Sequence, residues 1–494
     1  MIKERKQSIL AALVISFCFL FICSRSSFLY VFNNWDDANS YFTMGKMMMN
    51  GGVIYRDLFD QKGPLLYFIY GIAYLISNTT FSGVFLMEIV SMTVFLLAVY
   101  RIFRLYLKHA VSLGLLPFVA FSMTVSKSFY WGGCAEEFCL PFLAWGLFFS
   151  LKYWKEEYPS PPKKKMVVLC GFLAGCIMLI KFNVLGLYFA WMGMIALLYL
   201  TRTNWKESLK SCLLFLVGMG LPLIPWLIYF GIHNALDDWY FAYIYCNVFL
   251  YSDLYYESID VGQKIYDLAK IMYWLVIDNY IYFIPIIFGF GAVLFSRKMR
   301  WYEKINVYAL FGFLFLGIYV GGTSLFYYSL PLSLFSVIGY LAVGMAAEKL
   351  ADRWRKILIP GSAAVCAGLL ILAWNLSMNT GYADQKEEGF YLYTFRDIVL
   401  EEESPTLLNI SCLDAGLFTL ADIMPNCRYF QSNAVHGFDE VKEEQLRYIK
   451  EGQTDFVLAR DVYPDEIVET YELAGEEQFT SGDKEFTYYF FRKK

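Results

Sequence analysis

PLLYFIYGIAYLIS, residues 64–77, decides the fold, because counting it as a membrane crossing reverses the side of every later loop. It is short of the roughly 20 apolar residues that a spanning helix needs. The positive-inside rule tests both choices. With 64–77 left out, the inner loops carry Arg101, Arg104 and Lys108; Lys152, Lys155 and Lys163 to Lys165; Arg202, Lys206 and Lys210; Arg297, Lys298, Arg300 and Lys304; and Lys349, Arg353, Arg355 and Lys356. With it counted, these clusters fall outside. Residues 64–77 therefore read as an interfacial helix on the outer surface.

Candidate spans then lie at 8–31, 82–106, 110–127, 137–153, 166–180, 184–200, 209–231, 279–296, 305–320, 323–345 and 357–375. The expected fold is an all-α polytopic membrane protein of about 11 transmembrane helices. Its N-terminus is inside and its C-terminus outside. Composition agrees: the chain is 58% hydrophobic, with a mean hydropathy of +0.45, against about 45–50% apolar in soluble domains. The net charge of −4 argues against a nucleic-acid partner. The basic start, Met1 to Lys6, runs into an apolar segment with no small-residue cleavage site, so it reads as a retained first span.

Residues 1–375 form the expected membrane domain, with outer loops at 32–81 and 232–278. The second loop is Tyr-rich and contains Asp237, Asp238, Asp253 and Asp260. From 376 to 494 the composition turns charged. Short apolar runs, LLNI (407–410) and FVLA (456–459), alternate there with helix-like stretches such as 438–451, which predicts a small α/β domain outside the membrane. Cys412 and Cys427 lie in it, and a disulfide between them is left open. The other cysteines, such as Cys18, Cys23, Cys170 and Cys212, read as packing in apolar runs.

The first outer loop, NNWDDANSYFTMGKMMMNGGVIYRDLFDQKGPLLYF (33–68), carries Asp36, Asp37, Asp57 and Asp60 with Arg56 and Lys62. A solvated loop needs no more explanation than its charge. Here the charges stand among aromatics and the run Met47 to Met49, directly after a span, and Gly63–Pro64 makes a turn after Lys62. In WGGCAEEFCLPF (131–142), the helix macrodipole accounts for one acid at a helix start. Glu136 and Glu137 together, beside a Gly–Gly turn, suggest a site. Lys181 and Asn183 separate two apolar runs; a snorkelling lysine is the plain alternative there. Glu88, inside an apolar segment, needs a partner, with Lys181 or Lys62 the candidates.

Asp37 with Tyr41 and Gly45, YRDLFDQKGPLLYF (55–68), AEEFCLPF (135–142) and KFN (181–183) resemble the GT-C superfamily of membrane glycosyltransferases. The likeness is to its bacterial branch, related to protein O-mannosyltransferases and the aminoarabinose transferase of lipid A. It covers roughly residues 1–375. FYYSLPL (326–332) resembles a late segment in which relatives often carry a His, where this chain has Tyr327.

The resemblance implies a polyprenyl-phosphate sugar donor, a cell-envelope glycan, lipid or protein as acceptor, and work at the outer face of a bacterial plasma membrane. It implies that Asp37, with Asp36 as the other candidate, is the general base. Arg56, Asp60, Lys62, Glu136, Glu137, Lys181, Asn183 and Tyr327 are the expected substrate-binding residues. The sequence requires no metal, and a divalent ion is the one cofactor left open. The alternatives are a transporter or flippase of a lipid-linked sugar and a membrane scaffold. Transport sites sit near the bilayer midplane, whereas these charges gather at one face.

Overall fold

The computed structural model describes residues 2–250, 260–322, 324–432, 439–481 and 484–494. The chain divides into two compact units. One comprises residues 1–24, 87–226 and 258–381; the other comprises 25–86, 227–257 and 382–494.

The first unit is helical. Counting across the described chain, five helices are long and apolar enough to cross a membrane: Ile2–Cys23 (α1), Ser82–Arg104, Phe182–Arg202, Trp205–Ile232 and Phe326–Glu348. A sixth arises if Val261–Asp278 and Tyr280–Phe295, bent by 111°, make one span. Shorter apolar helices occupy other expected spans, among them Lys164–Met178 and Ala135–Lys152. The chain is thus a multi-pass membrane protein.

The segment 110–127 is divided at Leu115 into His109–Gly114 and Leu116–Thr124. The spans expected at 323–345 and 357–375 share one helix, Ser336–Leu376, of 41 residues. At 1.5 Å per residue it runs about 60 Å. The expected turn, AAEKLADRWRK (346–356), has no Gly or Pro and consists mostly of good helix formers, so nothing stops the helix there.

Small residues set the closest helix approaches. A Cβ on Gly171 would collide with the Phe215 carbonyl, and one on Gly218 with that of Val168. Helices Lys164–Met178 and Trp205–Gly220 thereby pack backbone to backbone, the usual solution in a membrane. Leu213, Leu216 and Val217 face outward from that pair, as lipid contact requires.

The second unit holds a four-stranded sheet: Leu407–Ile410 (β1), Phe456–Arg460 (β2), Tyr471–Ser481 (β3) and Lys484–Lys493 (β4), in the order β1-β2-β4-β3. β1 and β2 are parallel, and the other pairings are antiparallel. Helix Asp439–Lys450 lies between β1 and β2 in sequence, where the stretch 438–451 predicts one. Cys412 and Cys427 are both buried and free. The same unit contains helices Asp36–Met49 (α2) and Pro64–Ile76 (α3) of the first outer loop. α3 starts at Pro64, with Gly63 at its cap position. At 13 residues it is about 20 Å long, too short to span.

Candidate functional site

Helix α2 is two-faced, and its residue spacing says why. Positions four apart are offset by only about 40° around a helix, so Asp37, Tyr41 and Gly45 share one face. That face packs on α3. Tyr41 lies 5.5 Å, ring to ring, from Tyr70 and 6.4 Å from Tyr67. A Cβ on Gly45 would come within 2.7 Å of the Tyr67 carbonyl oxygen and nearer still to the Gly71 amide nitrogen. Both are backbone atoms that cannot move aside. Gly45→Ala should therefore force the helices apart and cost about 1–3 kcal/mol of stability, as overpacking does. Thermal unfolding in detergent checks this; a neutral result would mean that α2 and α3 do not cross here.

Asp60 lies beyond this face. Its carboxylate accepts from the Tyr67 hydroxyl at 2.7 Å, and that hydroxyl accepts from the Lys62 backbone N–H at 2.8 Å. The Tyr55 hydroxyl donates to the Lys62 carbonyl at 2.6 Å, and the Lys62 ammonium stands 6.0 Å from the centre of the Tyr41 ring. Burial raises the Asp60 pKa, Lys62 and the Tyr67 hydrogen bond oppose that rise, and the charge of Asp37 adds to it. Asp37, Asp60 and Lys62 are thus within electrostatic reach of one another. Arg56 points elsewhere: it is half exposed, pairs with Asp57 at 2.8 Å and donates to the His233 carbonyl at 2.9 Å. That pairing lowers the Asp57 pKa.

The other face of α2 carries Asp36, Ser40, Thr43 and Lys46, and it meets the C-terminal tail. Asp36 pairs with Arg460 at 2.7 Å. Ser40 donates to Gln431 at 2.6 Å and Thr43 to Asp414 at 2.6 Å. Lys46, fully buried, pairs with Asp422 at 2.6 Å. Burial lifts the Asp414 pKa to about 6 against the hydrogen bonds from Thr43 and the Gly416 amide. Asp36 is the first helical residue. The cap position belongs to Trp35, which makes no side-chain cap bond. The Arg460 guanidinium draws the Asp36 carboxylate outward instead.

The remaining candidates lie in the first unit. Glu136, buried, forms an ion pair with Lys181. The Lys181 ammonium also stands 3.5 Å above the Tyr328 ring and 5.6 Å from that of Tyr327. Glu137 accepts from the Gly133 N–H at 2.9 Å, where Gly132 and Gly133 both hold positive φ. Glu88 accepts from the Ser24 hydroxyl at 2.9 Å and lies against Glu137. Lys181 is already neutralised by Glu136. Asn183 sits in a short turn, Phe182–Leu185, after Lys181. In the second large loop, Asp260 caps helix Val261–Asp278 through the Gly262 N–H, and Asp253 lies outside the described residues.

Structure therefore gathers Asp36, Asp37, Arg56, Asp60 and Lys62 in one unit, and Glu136, Glu137, Lys181, Asn183 and Tyr327 in the other. Among the described residues no group of three His, Cys, Asp or Glu is placed to hold a metal. Sequence reading misses Arg460, Asp414, Gln431 and Asp422, which carry no local motif. It also passes over Tyr328, whose ring over Lys181 is signalled only by its place in FYYSLPL.

Residues 61–229 match the family of dolichyl-phosphate-mannose-protein mannosyltransferases. The chain has no match among curated proteins. Among solved structures it is similar to ArnT from Cupriavidus metallidurans bound to undecaprenyl phosphate. The TM-score is 0.63 at 14% identity, over 98% of this chain and 97% of that one. The apo state of the same protein gives a TM-score of 0.61 at 13% identity, over 98% and 97% of the two chains. The chain thus shares the fold of ArnT along nearly its whole length, and the stretch 61–229 within it carries the mannosyltransferase-family match.

Proposed function

We propose that the chain moves a sugar from a polyprenyl-phosphate donor to a hydroxyl-bearing acceptor of the cell envelope, at the outer face of the membrane. The observation that carries this is that Asp37, on the α2 face that packs on α3, lies within electrostatic reach of Asp60, which Lys62 also influences. The undecaprenyl phosphate bound by ArnT, whose fold is similar, supports the donor class.

In this reading the acceptor oxygen attacks the anomeric carbon from the face opposite the phosphate. Asp37 takes the acceptor's proton as the new glycosidic bond forms. The bond from the anomeric carbon to the phosphate oxygen breaks, and polyprenyl phosphate leaves as an anion. Such a leaving group needs positive charge rather than an acid. Lys62 supplies it, and Lys181 is the second candidate. Glu136 would then release Lys181 when phosphate arrives. Arg56, engaged by Asp57 and His233, holds the loop rather than the phosphate.

Purified protein should release polyprenyl phosphate from at least one member of a panel of polyprenyl-phosphate sugars. Lys62→Ala should weaken donor use, and Lys62→Arg should restore it only in part, because the guanidinium fork is wider and differently hydrated. Absence of release from every donor, by protein that folds and binds them, would overturn the reading.

Orientation has its own test. A cysteine replacing the exposed Asp384 should react with a membrane-impermeant thiol reagent in intact cells. One replacing the exposed Ser160 should react only after the membrane is broken. The reverse pattern would put the site on the wrong side.

A further inference from the structure

We infer that the C-terminal domain is a positioning module that grips helix α2 and sets the direction of Asp37, with Arg460 and Asp414 among its contact residues. This rests on the proposed role of Asp37.

The first turn of α2 lacks what usually fixes a helix start. Trp35 at the cap position makes no side-chain cap bond, so the turn does without the side-chain acceptor that usually caps a helix start. Asp36 and Asp37 both lie in that turn, and adjacent side chains diverge by about 100°. Whatever holds Asp36 therefore fixes where Asp37 points. Arg460 holds Asp36, in a charge-assisted contact at 2.7 Å with both side chains largely shielded from solvent.

The gripping edge is a recognisable one. β1 and β2 are parallel, and open sheets with parallel strands bind ligands beyond their carboxyl ends. Arg460 is the last residue of β2, and Asp414 follows the end of β1. Ser411 and Asp461, the residues just past each strand, both take positive φ. What occupies this edge is α2 itself. Gln431 ties the contact together: its side-chain oxygen accepts from Ser40 of α2 and from the Asp414 backbone N–H at 2.8 Å. Arg428 reaches the same loop further on, donating to the Tyr55 carbonyl at 3.1 Å and pairing with Asp238.

The test uses full-length protein in detergent, with donor turnover and hydrogen exchange measured side by side. Arg460→Ala should lower kcat at least tenfold and leave the donor KM within about twofold, because the acid is misdirected while the donor site stays. Amides of residues 36–40 should exchange faster. Arg460→Lys should recover part of both effects. If Arg460→Ala keeps the wild-type kcat, the positioning role is overturned, whether or not α2 exchanges faster. If Arg460→Ala also speeds exchange in β1 and β2, the tail itself has loosened, and Thr43→Val then probes the second contact. Slower turnover with intact strands supports the inference, and unchanged turnover overturns it. If wild-type protein is inert with every donor, the proposed function has failed separately, and exchange at 36–40 alone decides whether the tail grips α2.

Discussion

Asp37→Asn should lose about 10²–10⁴ in turnover, the range that general-base catalysis contributes. The amide keeps the carboxylate's shape, so α2 should still pack on α3 and the donor should still bind. Asp36→Asn should lose much less, since Asp36 faces Arg460 rather than the Asp60–Lys62 corner. The comparison needs both variants at matched levels with matching size-exclusion profiles. If Asp36→Asn is the dead variant and Asp37→Asn remains active, the two neighbours have exchanged roles. If both stay active, the base lies elsewhere, and Glu136 and Glu137 are the next candidates.

Lys181→Ala should cost about 3–5 kcal/mol of stability, the usual result of stripping one partner from a buried ion pair. Glu136 is 1% exposed and Lys181 11%, so solvent can do little for the carboxylate left behind. Lys181→Arg should keep the pair, and the double variant Lys181→Met with Glu136→Gln should recover most of the loss by removing both charges. Thermal unfolding in detergent, followed by tryptophan fluorescence, measures this. A Lys181→Ala protein as stable as wild type would mean that the pair is not buried as described. Loss of donor use in Lys181→Ala therefore speaks to phosphate binding only after stability is matched.

The same ion pair shows how far sequence could be read. KFN and AEEF stand out locally because charge is rare in apolar runs, but nothing in either fragment says that they meet. The tail was legible where its signals are local. LLNI is β1, FVLA opens β2, and the helix between them falls where its composition predicts. Gly63–Pro64 marks the start of α3 for the same reason. The grip on α2 was not legible. Asp36 and Arg460 are 424 positions apart, and a contact of that range leaves no periodicity to read. Local rules misled in two places. Asp36 is a residue type that often caps helices, but here it is the first helical residue and a distant guanidinium holds it. The basic stretch 346–356 has the charge of an inner loop, but the propensity of a helix, and propensity prevailed in the backbone.

The two-faced character of α2 has a consequence for exchanging parts between relatives. The residues that accept the tail, at 36, 40, 43 and 46, are interleaved with those that serve α3, at 37, 41 and 45. A graft that swaps the last hundred or so residues at a convenient boundary near 382 would carry one half of a lock without its key. To work, it must bring four scattered positions of α2 along and leave three others untouched. A single-residue insertion within α2 is worse, since it turns everything beyond it by about 100° and presents each partner with the other's surface. Length changes in this chain should be tolerated between the ends of α2 and α3, at the Gly51–Gly52 turn, and not inside the helix that both neighbours read.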